Sequence, residues 1–543
     1  MVDLAGPPRG EARPEIDAPA RDVRKVGFAA GSVALAFLWV ISGLGEGVPF
    51  PPTALAEAII RATPGDIATF FIELLKGWAR RGLAVSATVA SLVLAAQMLA
   101  WTMQRTRIRP AAAGAVLAAA AFVAILPAPS ISTNLLLAAL ALGAAALVYA
   151  LTAAAVAAGI GLGPGALGSA GPQTEGRADE AEPAGFDPSR RRVLKLGAGT
   201  ATAIALGGGV VGYFLRKVGG PNRNVELIAP QNPATLPEGE WPDIPGLSPE
   251  ITSAADHYVV DINLVQPSLE AQEWRLGVGG EVAAPLELNF MELQERFEIV
   301  EEYSVLTCIS NEVGGGLVGN SRWAGVRLAD VLEAAEARAA PSGPTDVIFT
   351  AADGYSDSIT LEAALDPAVL LAVAQNGEPL MQEHGFPCRV RVPSTFGMKN
   401  VKWLTSIEVA HRDYKGYWMQ RGWSDLALVK TGSRIDVAGG AERSAVPGEP
   451  TWIAGVAWAG NRGISRVEVS TDGGQTWARA TLKEAINSQT WRLWAYRWTP
   501  EGSGSAVVLC RAVDGDGTLQ ERGLADPHPS GATGYHTVEV GVA

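Results

Sequence analysis

The sequence predicts a chain in three parts: an all-α membrane bundle of about five spans, then an α+β domain, then an all-β sandwich. Three observations carry that expectation. Apolar stretches at about 26–44, 82–101, 111–128 and 135–158 each approach the roughly 20 residues needed to cross a bilayer, and a fifth follows at Val193–Leu215. From residue 251 the pattern changes to short strands alternating with short helical runs. From about 445 only strand signals remain, separated by Asp-Gly turns.

The chain's 543 residues leave room for three or four domains, and a 48% hydrophobic content with positive mean hydropathy places part of it in lipid. Charge is split unevenly. Residues 1–219 carry 19 basic against 14 acidic side chains, and residues 220–543 carry 24 against 42. A basic membrane half and an acidic soluble half follow, and the acidic half argues against a nucleic-acid partner. Cys308, Cys388 and Cys510 form no CxxC pair, zinc spacing or haem-attachment motif, so the sequence offers no support for an iron–sulfur cluster, structural zinc or covalent haem.

In order, residues 1–25 read as a disordered tail and 26–158 as a four-span membrane region. Small residues such as Gly143, Ala144, Ala145 and Ala146 suit close helix packing in lipid. Residues 53–79 mix apolar and charged groups at helical spacing, which predicts an interfacial helix. A Gly, Pro and acidic linker, 159–192, ends in the basic run Ser189–Lys195, followed by the fifth span within 193–217. That arrangement looks like a twin-arginine export signal set inside the chain, although a basic anchor before a membrane helix reads the same way. Either reading leaves the arginines in the cytoplasm and carries the rest of the chain outward. Lys76, Arg80 and Arg81 run against this topology. The Gly197 and Gly199 pair has no strand before it and is assigned to helix packing.

Residues 218–250 form a Pro-rich spacer. Within 251–440 the expected strands are YVVDINL, WRLGVGG, YSVLTC, DVIFTAA, RVRVPS and SIEVA, with helical runs at 290–297, 327–339 and 361–374. Residues 445–543 form the sandwich.

The informative stretch is 303–332. Cys308 ends an apolar run just before Gly314, Gly315 and Gly316, where a strand hands over to backbone that a bulky ligand can approach. A thiolate there is a soft ligand for a transition metal, while a buried cysteine alone is equally a small core residue. The surrounding text is more specific: Cys308 and Asn311, then Gly319, Asn320, Arg322, Trp323, Gly325, Leu328, Asp330, Val331 and Leu332. This pattern resembles the sulfite-oxidase-like molybdopterin oxidoreductases, and the likeness runs through about 251–543. The resemblance implies a molybdenum-molybdopterin cofactor with Cys308 as the protein ligand of the metal, and an immunoglobulin-like dimerisation domain over 445–543.

A pyranopterin ends in phosphate, so its pocket needs fixed cations and backbone donors. The run Arg389, Arg391, Lys399 and Lys402 stands out in an acidic half, and as plain sequence it could be a strand with solvated cations. The segment is similar to a cofactor-binding segment of the same family. The match implies contacts from His384, Arg389, Asn400, Val401 and Lys402, with Lys399 nearby. By the same likeness Asp353 and Tyr355 meet the pterin, while Asn311, Asn320 and Arg322 belong to the pocket.

Departures from the family bear on substrate. Sulfite-oxidising members carry Arg-Asn-His where this chain has Val260, Asp261 and Ile262, and an arginine soon after Cys-x-x-Asn where it has Glu312 and Val313. A buried dianion needs paired charge, so sulfite is disfavoured. The active-site tyrosine is Tyr414 by motif, whereas counting from Lys402 without gaps lands on Trp423.

Taken together these features predict a membrane-anchored, outward-facing molybdopterin oxidoreductase that moves an oxygen atom to or from a small substrate and exchanges electrons with a separate carrier. A homodimer through 445–543 is expected. The competing class is a non-catalytic surface binding module on the same fold.

Overall fold

The computed structural model describes residues 20–44, 48–63, 78–105, 110–126, 135–159, 224–262, 266–440 and 443–543. Most of the tail and linker, the run Ser189–Lys195, the fifth apolar stretch and residues 64–77 lie outside the described residues. The chain divides into two compact units.

In the first unit each of the four leading apolar stretches forms a helix: α1 (Ala20–Leu44), α3 (Trp78–Arg105), α4 (Pro110–Ile125) and α5 (Leu135–Gly159), with the shorter α2 (Pro51–Ala62) after α1. Two segments, Arg24–Ser42 and Leu135–Val156, are long and apolar enough to cross a membrane. The apolar windows Val85–Ala100 and Ala111–Val123 are shorter. Close packing falls on glycines other than Gly143, which faces open space. A Cβ on Gly27 would lie 2.8 Å from Ala96 Cα, and one on Gly114 2.7 Å from the Ala146 carbonyl oxygen. The interfacial reading of 53–79 is corrected over its described part: α2 packs against α3 and α4, with Ala54 and Glu57 buried.

The second unit holds four sheets. One, ordered β2-β1-β10-β5-β6, is built from β1 (Arg275–Gly280), β2 (Leu286–Asn289), β5 (Asp346–Ala351), β6 (Ser356–Thr360) and β10 (Leu404–Ala410), with β1 and β10 parallel and the other pairs antiparallel. A second, ordered β3-β4-β7-β8, uses β3 (Ile299–Thr307), β4 (Val318–Arg327), β7 (Leu370–Gln375) and β8 (Glu378–Pro379), and β9 (Arg389–Arg391) also pairs with β7. Both sheets share one core. Leu276, Phe349 and Ile407 from the first meet Val326, Leu371 and Val390 from the second, together with Leu293 of α6 (Phe290–Arg296) and Val331 of α7 (Leu328–Ala334).

The remaining strands, between Gly432 and Val542, form two further sheets that enclose Ile453, Trp494, Val467, Val508, Cys510 and Val540. A further apolar cluster ties the two halves of the unit together, joining Val305, Ile309, Phe396 and Met398 to Val456, Trp458, Trp491 and Leu493.

Two element assignments change. Residues 361–374 are not one helix: a four-residue turn of helix, Leu361–Ala364, gives way to β7. All six residues of β7 are buried, and a continuous apolar run carries no periodicity that separates a central strand from a helix. The stretch YVVDINL forms no strand over its described residues.

Gly325 of the sequence motif has a packing reason. At a register shift between β4 and β7, a Cβ there would lie 2.1 Å from the Leu371 carbonyl oxygen and 2.7 Å from Ala372 Cα. Both are backbone atoms of a central strand, so they cannot swing aside. Gly325→Ala is therefore expected to cost at least about 1–3 kcal/mol, read as a lowered unfolding temperature of this unit. Gly277→Ala, where a Cβ meets nothing within 4 Å, is the control and should fall within about 0.5 kcal/mol of wild type.

Candidate functional site

Strand β3 delivers Cys308 to the mouth of a clasped loop. Its N–H donates to the Leu317 carbonyl (2.9 Å), its carbonyl accepts from Asn311 N–H (3.1 Å), and Asn311 Oδ1 accepts from Leu317 N–H (2.8 Å). Asn311 thus closes the loop that presents Cys308. The glycines inside serve a different purpose from the one expected. A Cβ on Gly314 would strike the His536 ring at 2.3 Å and one on Gly315 the Asn311 side chain at 2.5 Å, so only Gly316 faces open space. Cys308 Sγ lies 3.0 Å from Ser310 Oγ. No disulfide joins the three cysteines. Burial pushes the Cys388 thiol far up and that of Cys510 to about 12, which leaves both as inert core groups.

The cations converge from β9 and from the turn Gly397–Lys399 that follows it. Arg389 and Arg391, two apart on a strand, point to one side, with their guanidinium carbons 5.2 and 5.6 Å from the Trp323 ring. Arg389 donates to the carbonyls of His384 (3.0 Å) and Asn400 (3.1 Å). Arg391 donates to Ser304 Oγ (2.8 Å), the Val305 carbonyl (2.9 Å) and Asn400 Oδ1. Asn400 thereby spaces the pair, and Val401 is held by its carbonyl to Val390 N–H (2.8 Å). Both arginines are at least 96% buried, and burial brings Arg389 down to about 10 and Arg391 to about 9, so both stay charged at neutral pH.

The lysines are placed differently. Lys402 pairs with Asp261 and donates to the Glu383 carbonyl (2.8 Å), while Lys399 pairs with Asp357 at 2.9 Å. Among the described residues neither arginine has a carboxylate within ion-pair distance, and the Nε of each is buried without a hydrogen-bond partner. Two buried positive charges that no side chain neutralises call for an anion. That is the property a phosphate-ended pterin requires, so the residues present fit the group.

Histidines flank this pair. His384 Nε2 lies 2.6 Å from the Ala254 carbonyl and must carry the proton there. Its ring is 5.6 Å from that of His257, which stands edge-on to Trp323 at 6.0 Å. Burial holds His384 near 4 and His257 near 3, so both are neutral at pH 7, and His257 Nε2 is a further buried atom without a partner. Two half-buried tyrosines complete the surround. Tyr258, buried among apolar groups and within electrostatic reach of Cys308 and both arginines, has its phenol raised well above the usual value. Tyr355 is raised likewise by burial, by Asp357 and Asp353, and by Cys308. Asp353 shapes the turn by accepting from Tyr355 N–H (2.9 Å).

Three predicted site residues go elsewhere. With Trp323 facing the arginines, alternation along β4 sends Asn320 and Arg322 to the opposite side. Asn320 donates to the Glu250 carbonyl (2.9 Å), and Arg322 pairs with Glu301 at 3.6 Å. The Tyr414 hydroxyl meets Ser356 Oγ (2.7 Å) and its N–H donates to Asp346, so it sits on the outer side of β6. Trp423, the alternative to Tyr414, stands in the apolar cluster beneath the site. His257, Tyr258, Asp261 and Asp357 were missed. The signal available was an adjacent His-Tyr pair hidden in a stretch read as a strand.

Parts of the chain match known protein domains. A model described as the oxidoreductase molybdopterin binding domain matches residues 263–418, and one described as the Mo-co oxidoreductase dimerisation domain matches 438–526. Mitochondrial sulfite oxidase of Homo sapiens is 32% identical over 299 residues, which cover 46% of this chain and 54% of that protein. The NADH nitrate reductase of Ulva prolifera is 29% identical over 321 residues, covering 49% of this chain and 37% of the relative. The solved structure of the sulfane dehydrogenase SoxCD from Paracoccus pantotrophus has 23% identity and a TM-score of 0.48, covering 59% of this chain and 93% of that one. The chain spans about half the length of the curated relatives it matches. Residues 263–418 are a molybdopterin binding domain and residues 438–526 a dimerisation domain of the molybdopterin oxidoreductases, which supports the sulfite-oxidase-like family.

Proposed function

We propose that the protein is a membrane-anchored oxidoreductase whose molybdenum-molybdopterin site transfers an oxygen atom to or from a small substrate outside the cytoplasm. The observation that carries the proposal is the pair of buried guanidinium groups without carboxylate partners beside Cys308 and two half-buried tyrosines. When bound, the cofactor supplies the two-electron oxygen-atom chemistry. The chain's residues do the rest. Cys308 Sγ holds the metal as a thiolate, and Arg389 and Arg391 hold the terminal phosphate through charge-assisted hydrogen bonds. His257 and His384, neutral at pH 7, offer a polar edge without adding charge. Tyr258 and Tyr355 each hold a proton at a phenol oxygen within electrostatic reach of Cys308. Asp261 and Lys402 neutralise each other, and with Val260 where sulfite-oxidising members carry arginine, this side of the site is poorly suited to a sulfur oxyanion.

The finer assignments are part of the same reading. The outward-facing apolar side chains of α3 and α5, Val85, Val89, Val93, Leu136, Leu140, Leu147 and Leu151 among them, support contact with lipid. About five spans, an immunoglobulin-like sandwich over 445–543 that pairs two copies, and a separate electron carrier complete it. A non-catalytic binding module would have no use for two buried, uncompensated arginines.

Cys308→Ser is expected to abolish turnover while the domain keeps its near-ultraviolet circular dichroism. Retained turnover at unchanged molybdenum content would remove Cys308 from the metal. Arg389→Ala and Arg391→Ala each remove a charge-assisted contact of about 1.5–3 kcal/mol, so pterin extracted per protein should fall about 10-fold or more under limiting cofactor. Normal occupancy in both contradicts the pocket.

Sidedness has its own test. A domain loaded with its pterin in the cytoplasm must cross the membrane folded, which is what a twin-arginine route provides. Replacing Arg190, Arg191 and Arg192 with lysines should leave residues 251–543 shielded from protease added to intact cells. Cleavage in that variant reduces the run to a basic anchor.

A further inference from the structure

Reduction of an oxygenated substrate written XO consumes two electrons and two protons and yields X and one water; the reverse releases the same protons. A site built from buried groups therefore needs a path for protons as well as for substrate. From the half-buried Tyr355, a continuous line of polar contacts runs to the surface. Tyr355 Oη lies 3.1 Å from Asp357 Oδ2, Asp357 Oδ1 lies 2.9 Å from Lys399 Nζ, and Lys399 Nζ lies 3.5 Å from Asp425 Oδ1. Asp425 Oδ2 in turn meets Lys415 Nζ at 2.5 Å. Side-chain exposure rises along the line, from 0% at Asp357 and 4% at Lys399 to 44% at Asp425 and 42% at Lys415.

We infer that Tyr355, Asp357, Lys399 and Asp425 form a proton relay between the site at Cys308 and solvent. This rests on the reading of the site as a molybdopterin centre. On proton entry Asp425 receives a proton from water, Lys399 passes one of its three to Asp357 and is recharged from Asp425, and Asp357 passes one to the Tyr355 oxygen as the phenol proton leaves toward the site. Each carrier returns to its starting state, and the reverse sequence serves proton release.

Two features favour a relay over a plain ion pair. Asp357 lies inside β6 opposite Phe349 of β5, on a fully buried face where an apolar residue would pack at lower cost. The Tyr355 hydroxyl, moreover, has one proton for two acceptors, Asp357 Oδ2 and the Met398 carbonyl at 2.8 Å. Both contacts are satisfied at once only when Asp357 carries a proton and donates it to Tyr355, while Tyr355 donates to Met398. Asp357 is thus placed in a hydrogen-bond frame with two stable protonation states. Burial, opposed by Lys399, raises its carboxyl to about 6, so both states are populated near neutrality. The other charged or titratable groups around it are Asp353 and Asp346, which accept from Tyr355 N–H and Ser358 Oγ, and Tyr414, whose carbonyl accepts from Ser358 Oγ.

The test uses full-length holoprotein in detergent, with all rates normalised to molybdenum content. Reduced methyl viologen supplies electrons without protons, an S-oxide or N-oxide serves as the oxygenated acceptor XO, and a pH indicator in weak buffer follows proton uptake in stopped flow. Wild type should take up protons in step with viologen oxidation. Asp357→Asn, which keeps shape but cannot relay, should slow both at least 10-fold, raise the solvent deuterium effect and regain speed with imidazole in the buffer. Lys399→Arg, which keeps the charge but holds its protons too tightly to pass one on, should slow both as Asp357→Asn does. Asp425→Asn, at an exposed position that leaves the fold alone, should slow uptake by a smaller factor and respond to imidazole in the same way. Wild-type uptake rates per molybdenum in Asp357→Asn and Asp425→Asn overturn the relay while leaving the cofactor site standing. Slowing that imidazole does not relieve, or loss of molybdenum from Asp357→Asn with normal rates in Asp425→Asn, makes the contacts structural and also overturns it. Failure of wild type to hold molybdenum or to oxidise viologen overturns the site reading itself.

Discussion

Two guanidinium groups buried side by side over one indole are the constraint around which the site is assembled. Like charges in a low-dielectric interior repel and are costly to desolvate, so Arg389 and Arg391 persist only because their surroundings are arranged for them. Trp323 of β4 presents its ring face, Asn400 offers both its side-chain and main-chain oxygens, and the carbonyls of His384 and Val305 complete the set. Each partner belongs to a different segment. β7 is the common support, pairing with β4 on one side and β9 on the other, and the close contact at Gly325 fixes the first of these pairings. What remains after all these bonds is a net positive charge and two unused Nε donors, which an added anion would answer together.

The division of labour between arginine and lysine follows from their chemistry. A lysine ammonium is a compact charge that one carboxylate neutralises, and both site lysines are neutralised in this way, Lys402 by Asp261 and Lys399 by Asp357. Arginine spreads its charge over a planar fork that can bind neutral oxygens and still face an anion. Thus of the four cations between Arg389 and Lys402, two are committed within the protein and two remain for a ligand. Asp261 accounts for part of the difference from the sulfite-oxidising pattern, since it brings a negative charge to the segment in which that pattern has a cation.

The loop bearing Cys308 is held by the sandwich as well as by its own domain. His536 fills the space a side chain would take at Gly314, Val305 N–H donates to the Gln489 carbonyl, and the cluster beneath joins Ile309 and Phe396 to Trp458 and Leu493. Gly314 therefore admits a neighbouring domain, while Gly316 faces open space. Precise placement of Cys308 depends on packing between the two halves of this unit.

Much of the architecture was legible in the sequence because it rests on local rules. Runs of some 20 apolar residues became helices, alternation and Asp-Gly turns became the strands of 445–543, and Cys308, His384, Arg389 and Lys402 stood in motifs whose spacing survives folding. The failures share one cause. An unbroken apolar run such as 370–375 reads alike as strand or helix until its neighbours are known. Asn320 and Arg322 lie three and one residues before Trp323, so the alternation that points Trp323 inward turns both to the other face of β4. Whether a cation faces a ligand or a carboxylate depends on contacts such as that between Lys402 and Asp261, 141 residues apart. The sequence by itself marked Cys308 and the cations of 389–402, and most of the elements that carry them. Which groups were neutralised, which were left charged and which turned away was decided only by tertiary structure, because charge pairing and burial are set by distances in space and not by spacing along the chain.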